Sequence, residues 1–73
     1  MANFQERLKA LKNESSTSYQ ELAEYLGISL RAVQHYASGA RTPDLEGLIK
    51  IADFYEVSID YLVGRSDERE RRY

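Results

Sequence analysis

Apolar residues recur every three or four positions along most of this chain, and the polar joints between such runs are short, a pattern that predicts packed helices. After Asn3, the residues Phe4, Leu8 and Leu11 form one stripe, which ends near Asn13 or Glu14 before the polar run Ser15-Ser16-Thr17. Tyr19, Leu22, Ala23 and Leu26 follow at i, i+3, i+4 and i+7, with Gln20, Glu21 and Glu24 pointing away. In front of them Ser18-Tyr19-Gln20-Glu21 reads as a capping box: the Ser18 hydroxyl accepts from the N–H three residues on, and Glu21 reaches back to the N–H of Ser18. Gly27 supplies a positive-φ end, and Ser29 caps a new helix two residues later. So short a joint forces the two helices to pack at a steep angle, the signature of a helix-turn-helix over residues 18–41.

The third helix, Leu30 to about Ser38, has two faces. At about 100° per residue, Val33, Tyr36 and Ala37 cluster on one side, with Leu30, Arg31, Gln34 and His35 nearly opposite. The first set packs. The second offers groups that base edges in a major groove can answer: Arg to guanine, Gln to adenine, and an apolar side chain to a thymine methyl. Any solvated helix face also shows Arg, Gln and His, so this face alone does not decide the matter.

Pro43, the single proline, sits where a fourth helix begins, and its buried stripe is expected to be Leu45, Leu48, Ile49 and Ala52. Gly47 lies on the opposite side and costs about 1 kcal/mol relative to Ala. It reads as an untuned surface position in preference to a close backbone approach. Ser58 caps a short last helix, Val57 and Leu62 can close a hydrophobic staple, and Gly64 ends it. Tyr55, Ile59, Tyr61 and Val63 are more apolar surface than a core of this size readily covers. Part of that set is expected to form a dimer interface, with ordinary packing of the last helix as the alternative. Residues 65–73 are a charged tail in which Asp67 with Arg71 and Glu68 with Arg72 stand at i,i+4. A solvated helical stub, a disordered segment or a linker to a further domain would each fit it.

Charge placement adds to this picture. Ten Lys and Arg stand against twelve Asp and Glu, a net −2 that by itself argues against a nucleic-acid partner. No acid occurs from Tyr25 to Pro43, however, while Arg31 and Arg41 remain, so this stretch carries +2 and leaves −4 on the rest. A polyanion would be repelled by most of the chain and tolerated at this segment.

A chain of 73 residues supports one core and buries only about 60% of its unfolded surface, so dimerisation would add needed stability. The absence of cysteine excludes disulfides and thiolate metal sites and fits a reducing cytoplasm. Met1-Ala2-Asn3-Phe4-Gln5-Glu6 lacks a basic start with an apolar run, and no stretch approaches about 18 apolar residues, so a soluble cytoplasmic protein outside the membrane is expected. With one His and no Gly-rich phosphate loop, no nucleophile has a base beside it; no enzyme, metal site or cofactor is expected.

Phe4 with Arg7-Leu8-Lys9, Glu21-Leu22-Ala23, Leu26-Gly27-Ile28-Ser29, Gly39, Arg41, Pro43-Asp44, Leu48-Ile49-Lys50-Ile51-Ala52, Val57-Ser58 and Asp60-Tyr61-Leu62 together resemble the Xre, or lambda-repressor-like, helix-turn-helix family. The resemblance runs from about Asn3 to Gly64 and implies a compact all-α five-helix domain that binds operator DNA, usually as a dimer. The family's base-reading positions fall on Ser29, Leu30, Arg31 and His35, with Gln34 beside them; Ser38, Gly39 and Arg41 fall on the loop that touches phosphates. Ser18 and Tyr19 occupy a further phosphate position, where the family commonly opens its second helix with Gln. Tyr19 also fits the apolar stripe, and packing is the stronger reading there. Ala37 and Ser38 replace the common Glu and Asn, and Leu30 cannot hydrogen-bond, so the operator sequence does not follow from the pattern. The resemblance implies a domain over residues 1–64 that reads the major groove of double-stranded DNA with helix 30–38 as a homodimeric transcriptional regulator, a repressor by default. The rival expectation is a protein-interaction module of the same fold, of the antitoxin or anti-repressor type, binding a regulatory protein.

Overall fold

The computed structural model describes residues 3–70, among which there are five helices and no strand: α1 Phe4–Ser15, α2 Tyr19–Leu26, α3 Leu30–Ser38, α4 Leu45–Tyr55 and α5 Ile59–Leu62. Each start is a local device. Asn3, Ser18, Ser29, Asp44 and Ser58 all accept from the N–H three residues on, and Asn3 with Glu6 and Ser18 with Glu21 close reciprocal capping boxes. Every helix contributes one side chain to the centre of a single core: Leu8, Leu22, Val33, Ile51 and Leu62 are all under 2% exposed. Around them α2 packs on α3 and α4, α1 on α3 and α5, and α4 on α5.

The ends differ from the sequence expectation in ways that have physical causes. Helix α1 runs on to Ser15 and stops at Ser16 in the left-handed region, φ 58°. The Ser15 hydroxyl bonds the Lys12 carbonyl at 3.3 Å and meets the Thr17 hydroxyl at 2.8 Å, so the polar run extends the last turn. Helix α4 is capped by Asp44, with buried Pro43 one residue ahead of the cap. Its core stripe is Leu48, Ile51, Ala52 and Tyr55, while Leu45 and Ile49 face solvent, a correction to the expected stripe. Apolar residues occupy most of this helix's circumference, so periodicity leaves its rotation open and the neighbours α2 and α5 set it. Gly47 is also corrected: a Cβ there would lie 3.0 Å from Pro43 Cβ and 3.1 Å from Asp44 Oδ1, a close approach at the cap.

The segment after Gly64 is not helical among the described residues; it runs back over the domain. The Arg69 carbonyl accepts from Ser58 N–H at 2.9 Å and the Glu68 carbonyl from the Ser58 hydroxyl at 3.0 Å. Arg69 pairs with Glu14 at 2.7 Å and Asp67 with Arg7 at 2.8 Å, tying the strap to α1. Asp67 therefore has its partner in α1; the expected pairs with Arg71 and Arg72 fall on residues outside the described ones.

Candidate nucleic-acid interface

Two turns fix the position of α3. At the first, Gly27 holds φ 72° and Ile28 N–H donates to the Ala23 carbonyl at 3.1 Å, ending α2 so that Ser29 can start the next helix at once. At the second, Gly39 holds φ 86°, and Arg41 N–H donates to the His35 carbonyl at 3.2 Å, folding the following loop against the end of α3. With Val33 and Ala37 buried in the core, the opposite face of α3 points outward.

On that face Leu30, Arg31 and Gln34 are exposed. Arg31 and Arg41 take part in no ion pair among the described residues, whereas Arg7, Lys50 and Arg69 are paired with Asp67, Glu46 and Glu14. An unpaired guanidinium keeps its full fork of donors for an acceptor brought to it. Arg41 also lines an open cavity of about 370 Å³ with Asp44, Glu46 and Lys50, so carboxylates stand at the outer edge of this surface.

The other expected contacts are placed differently from one another. Ser29 accepts from Ala32 N–H at 3.1 Å, which leaves its own proton free to donate. His35 is half-buried, and its Nδ1 is enclosed without a hydrogen-bond partner, so only Nε2 can serve a base or phosphate. The Ser38 hydroxyl donates to the His35 carbonyl at 3.1 Å and accepts from Ala40 N–H at 3.3 Å. Its one proton is used in the turn, and a phosphate oxygen only accepts. At the start of α2, Ser18 is held by its capping box, and Tyr19 is half-buried with the Lys12 ammonium 5.2 Å from its ring centre. Burial raises the Tyr19 hydroxyl above its usual pKa, which keeps it a neutral donor.

Two residues of α1 approach this surface that sequence reasoning missed. Lys12 brings a cation to the start of α2, and the side chain of Gln5 lies where a Cβ on Gly39 would touch it at 3.5 Å. No local pattern announces either, because both depend on how α1 docks.

The residues expected to form a dimer patch are not gathered on an open face. Tyr61 is 7% exposed, covered by the Arg7 guanidinium 3.9 Å from its ring centre and that of Arg69 at 5.0 Å. Tyr55, Ile59 and Val63 are half-buried, Tyr55 in edge contact with Phe54 at 4.9 Å. The exposed large apolar side chains are Tyr25, Ile28, Leu30, Leu45 and Ile49 instead. Among the described residues no group of His, Cys, Asp and Glu could hold a metal ion, and no helix is long and apolar enough to cross a membrane.

Residues 8–62 match the family described as helix-turn-helix. The chain is similar to the cryptic phage CTXphi transcriptional repressor RstR of Vibrio cholerae serotype O1, at 40% identity over 69 residues that cover 92% of this chain and 62% of that protein. It is similar to a transcriptional regulator from Listeria innocua whose crystal structure superposes with a TM-score of 0.82 at 41% identity, covering 90% of this chain and 62% of that one. The P22 c2 repressor protein, crystallised with a synthetic operator, shares the fold with a TM-score of 0.82 at 21% identity, covering 90% of this chain and all of that one. The chain thus spans about three fifths of the length of the first two.

Proposed function

The chain belongs to the Xre, or lambda-repressor-like, family of helix-turn-helix transcriptional regulators, and from that premise we propose that it binds operator DNA, reading the major groove with the outer face of α3, and acts as a repressor. The observation that carries this reading is the exposed set Leu30, Arg31 and Gln34 on a helix held out by two glycine turns, with Arg31 and Arg41 outside any ion pair among the described residues. Arg31 presents a bidentate donor to a guanine edge, Gln34 an amide to adenine, and Leu30 an apolar contact to a thymine methyl. Arg41, the backbone of the loop at Gly39, Lys12, Ser18 and Tyr19 supply contacts to phosphates, which set register without reading sequence. Repression follows from occluding a promoter, and it accords with the name of the Vibrio cholerae relative.

One recognition helix reaches a few base pairs, and a single module of this kind buries about 600–1,000 Å² of protein surface, so two copies on a two-fold site supply the remaining discrimination. A protein-interaction role of the same fold draws on the net charge of −2 and the acids near Arg41. Titrating salt against binding to a duplex separates the two. A DNA-binding surface loses affinity log-linearly as salt rises, while binding that is absent at low salt would leave only the protein-interaction role.

A further inference from the structure

The strap after α5 is fixed at both ends. Arg65 and Ser66 N–H donate to the Asp60 carbonyl at 2.8 and 3.2 Å, and Ser58 holds the Glu68 and Arg69 carbonyls at 3.0 and 2.9 Å. With α4 and α5 it lines an open cleft of about 350 Å³. The floor is apolar, made by Ile49, Val57 and Ile59, with Ile49 40% exposed. The rim carries four exposed carboxylates, Asp53, Asp60, Glu68 and Glu70, and no Lys or Arg is among the described residues that line it. A third of the chain's twelve acids thus gather at one cleft, whereas Tyr25 to Pro43 holds none. No lining residue belongs to α2 or α3, so occupation of the cleft leaves the operator-reading face clear.

We propose that this cleft docks a basic segment of a partner protein, one that sets an apolar side chain and the stem of an arginine or lysine on the floor and the cationic heads against the rim. Those two side chains join an apolar stem to a charged head, which is the order of floor and rim here. The rim repels nucleic acid and draws cations towards it. A second copy of the chain applying this face to itself would set four carboxylates against four. A small amine fits less well, because sites for small ligands bury most of the ligand, and an open cleft leaves one side wet. The hydrogen bonds that pin the strap form the cleft in advance, so a partner segment does not have to order it.

The test is an NMR titration of the chain with three short synthetic peptides, alternating leucine with arginine, leucine with glutamate, and serine with arginine. The leucine–arginine peptide should shift the amides of residues 49–60 and 65–70 saturably, and the other two should bind about tenfold more weakly or worse. Asp60→Asn combined with Glu70→Gln, both at exposed positions, should weaken the leucine–arginine peptide about fivefold while the melting midpoint holds. Ile49→Ser should weaken it by removing part of the floor. The assignment is overturned if the parent gives no saturable shift at about 1 mM peptide, or if the shifts fall outside the cleft. It is also overturned if the serine–arginine peptide binds equally well, which would leave only charge attraction, or if the carboxylate variant binds like the parent. Spermidine binding as tightly as the peptide would make the cleft a small-amine site instead, and the same shifts on concentrating the chain alone would give it to a second copy. No duplex enters this titration, so its outcome is independent of the operator reading.

Discussion

At the scale of single residues, Arg31 and Arg41 carry the same charge in different settings, and their loss should be felt differently. Arg31 lies on the outer face of α3, so Arg31→Ala should cost about 1–3 kcal/mol at the cognate site and relax preference at one base pair, read by competition between cognate and single-substituted duplexes. Arg41 lies on the loop pinned to the His35 carbonyl. Arg41→Ala should weaken all duplexes alike and flatten the salt slope by about one. The outward set on α3 was legible because that helix is two-faced, and a period of 3.6 then fixes which side packs. Ser38 and His35 were less so. Their hydroxyl proton and ring nitrogen are claimed by the way the loop folds back over the end of the helix, and side-chain type alone does not announce that fold.

At the scale of elements, the helix-turn-helix depends on one tight crossing and one left-handed residue. Ala23 is 1% exposed in the core, and Ala23→Leu should overpack it at a cost of about 1–3 kcal/mol. Gly27 has nothing within 4 Å of where a Cβ would stand, so the penalty of a substitution there is conformational alone. Gly27→Val should therefore lose about 1–2 kcal/mol or somewhat more, and Gly27→Asn, a residue that tolerates positive φ, clearly less in thermal melts. The end of α4 offers the converse: Glu56 adopts φ 56° without being glycine, and Glu56→Gly should raise stability by up to about 1 kcal/mol. Helix starts were readable because a cap is a three-residue interaction written locally, as at Ser18, Ser29 and Ser58. The rotation of α4 was not, since Leu45 and Ile49 are as apolar as the residues that pack, and only the docking of α2 and α5 chooses between them.

At the scale of the molecule, the strap that closes the fold joins residues 60 and 55 positions apart, Arg7 with Asp67 and Arg69 with Glu14, and no periodicity could have placed them. The hydrogen bond from Arg69 holds the Glu14 carboxyl below its usual value of 4.5. A depressed carboxylate binds fewer protons in the folded state, so its contribution is present above pH 4.5 and is lost as pH falls through the lower folded value. Melts of the parent and Arg69→Ala, separated at neutral pH, should draw closer below that point, leaving the difference due to the contact of Arg69 with the Tyr61 ring. Size bears on function too. The domain measures 29 × 24 × 22 Å, while recognition helices in successive turns of one groove stand about 34 Å apart, so two bound copies would touch over a small surface. A few exposed residues are then enough to set the half-site spacing. The most direct test of the claim that α3 reads an operator is selection from a random duplex pool, run in parallel with the parent chain and Arg31→Ala. The account predicts a two-fold symmetric consensus with half-sites about 10 base pairs apart, losing definition at one position per half-site in the variant. A pool that enriches no sequence, or an identical consensus from both proteins, would contradict it.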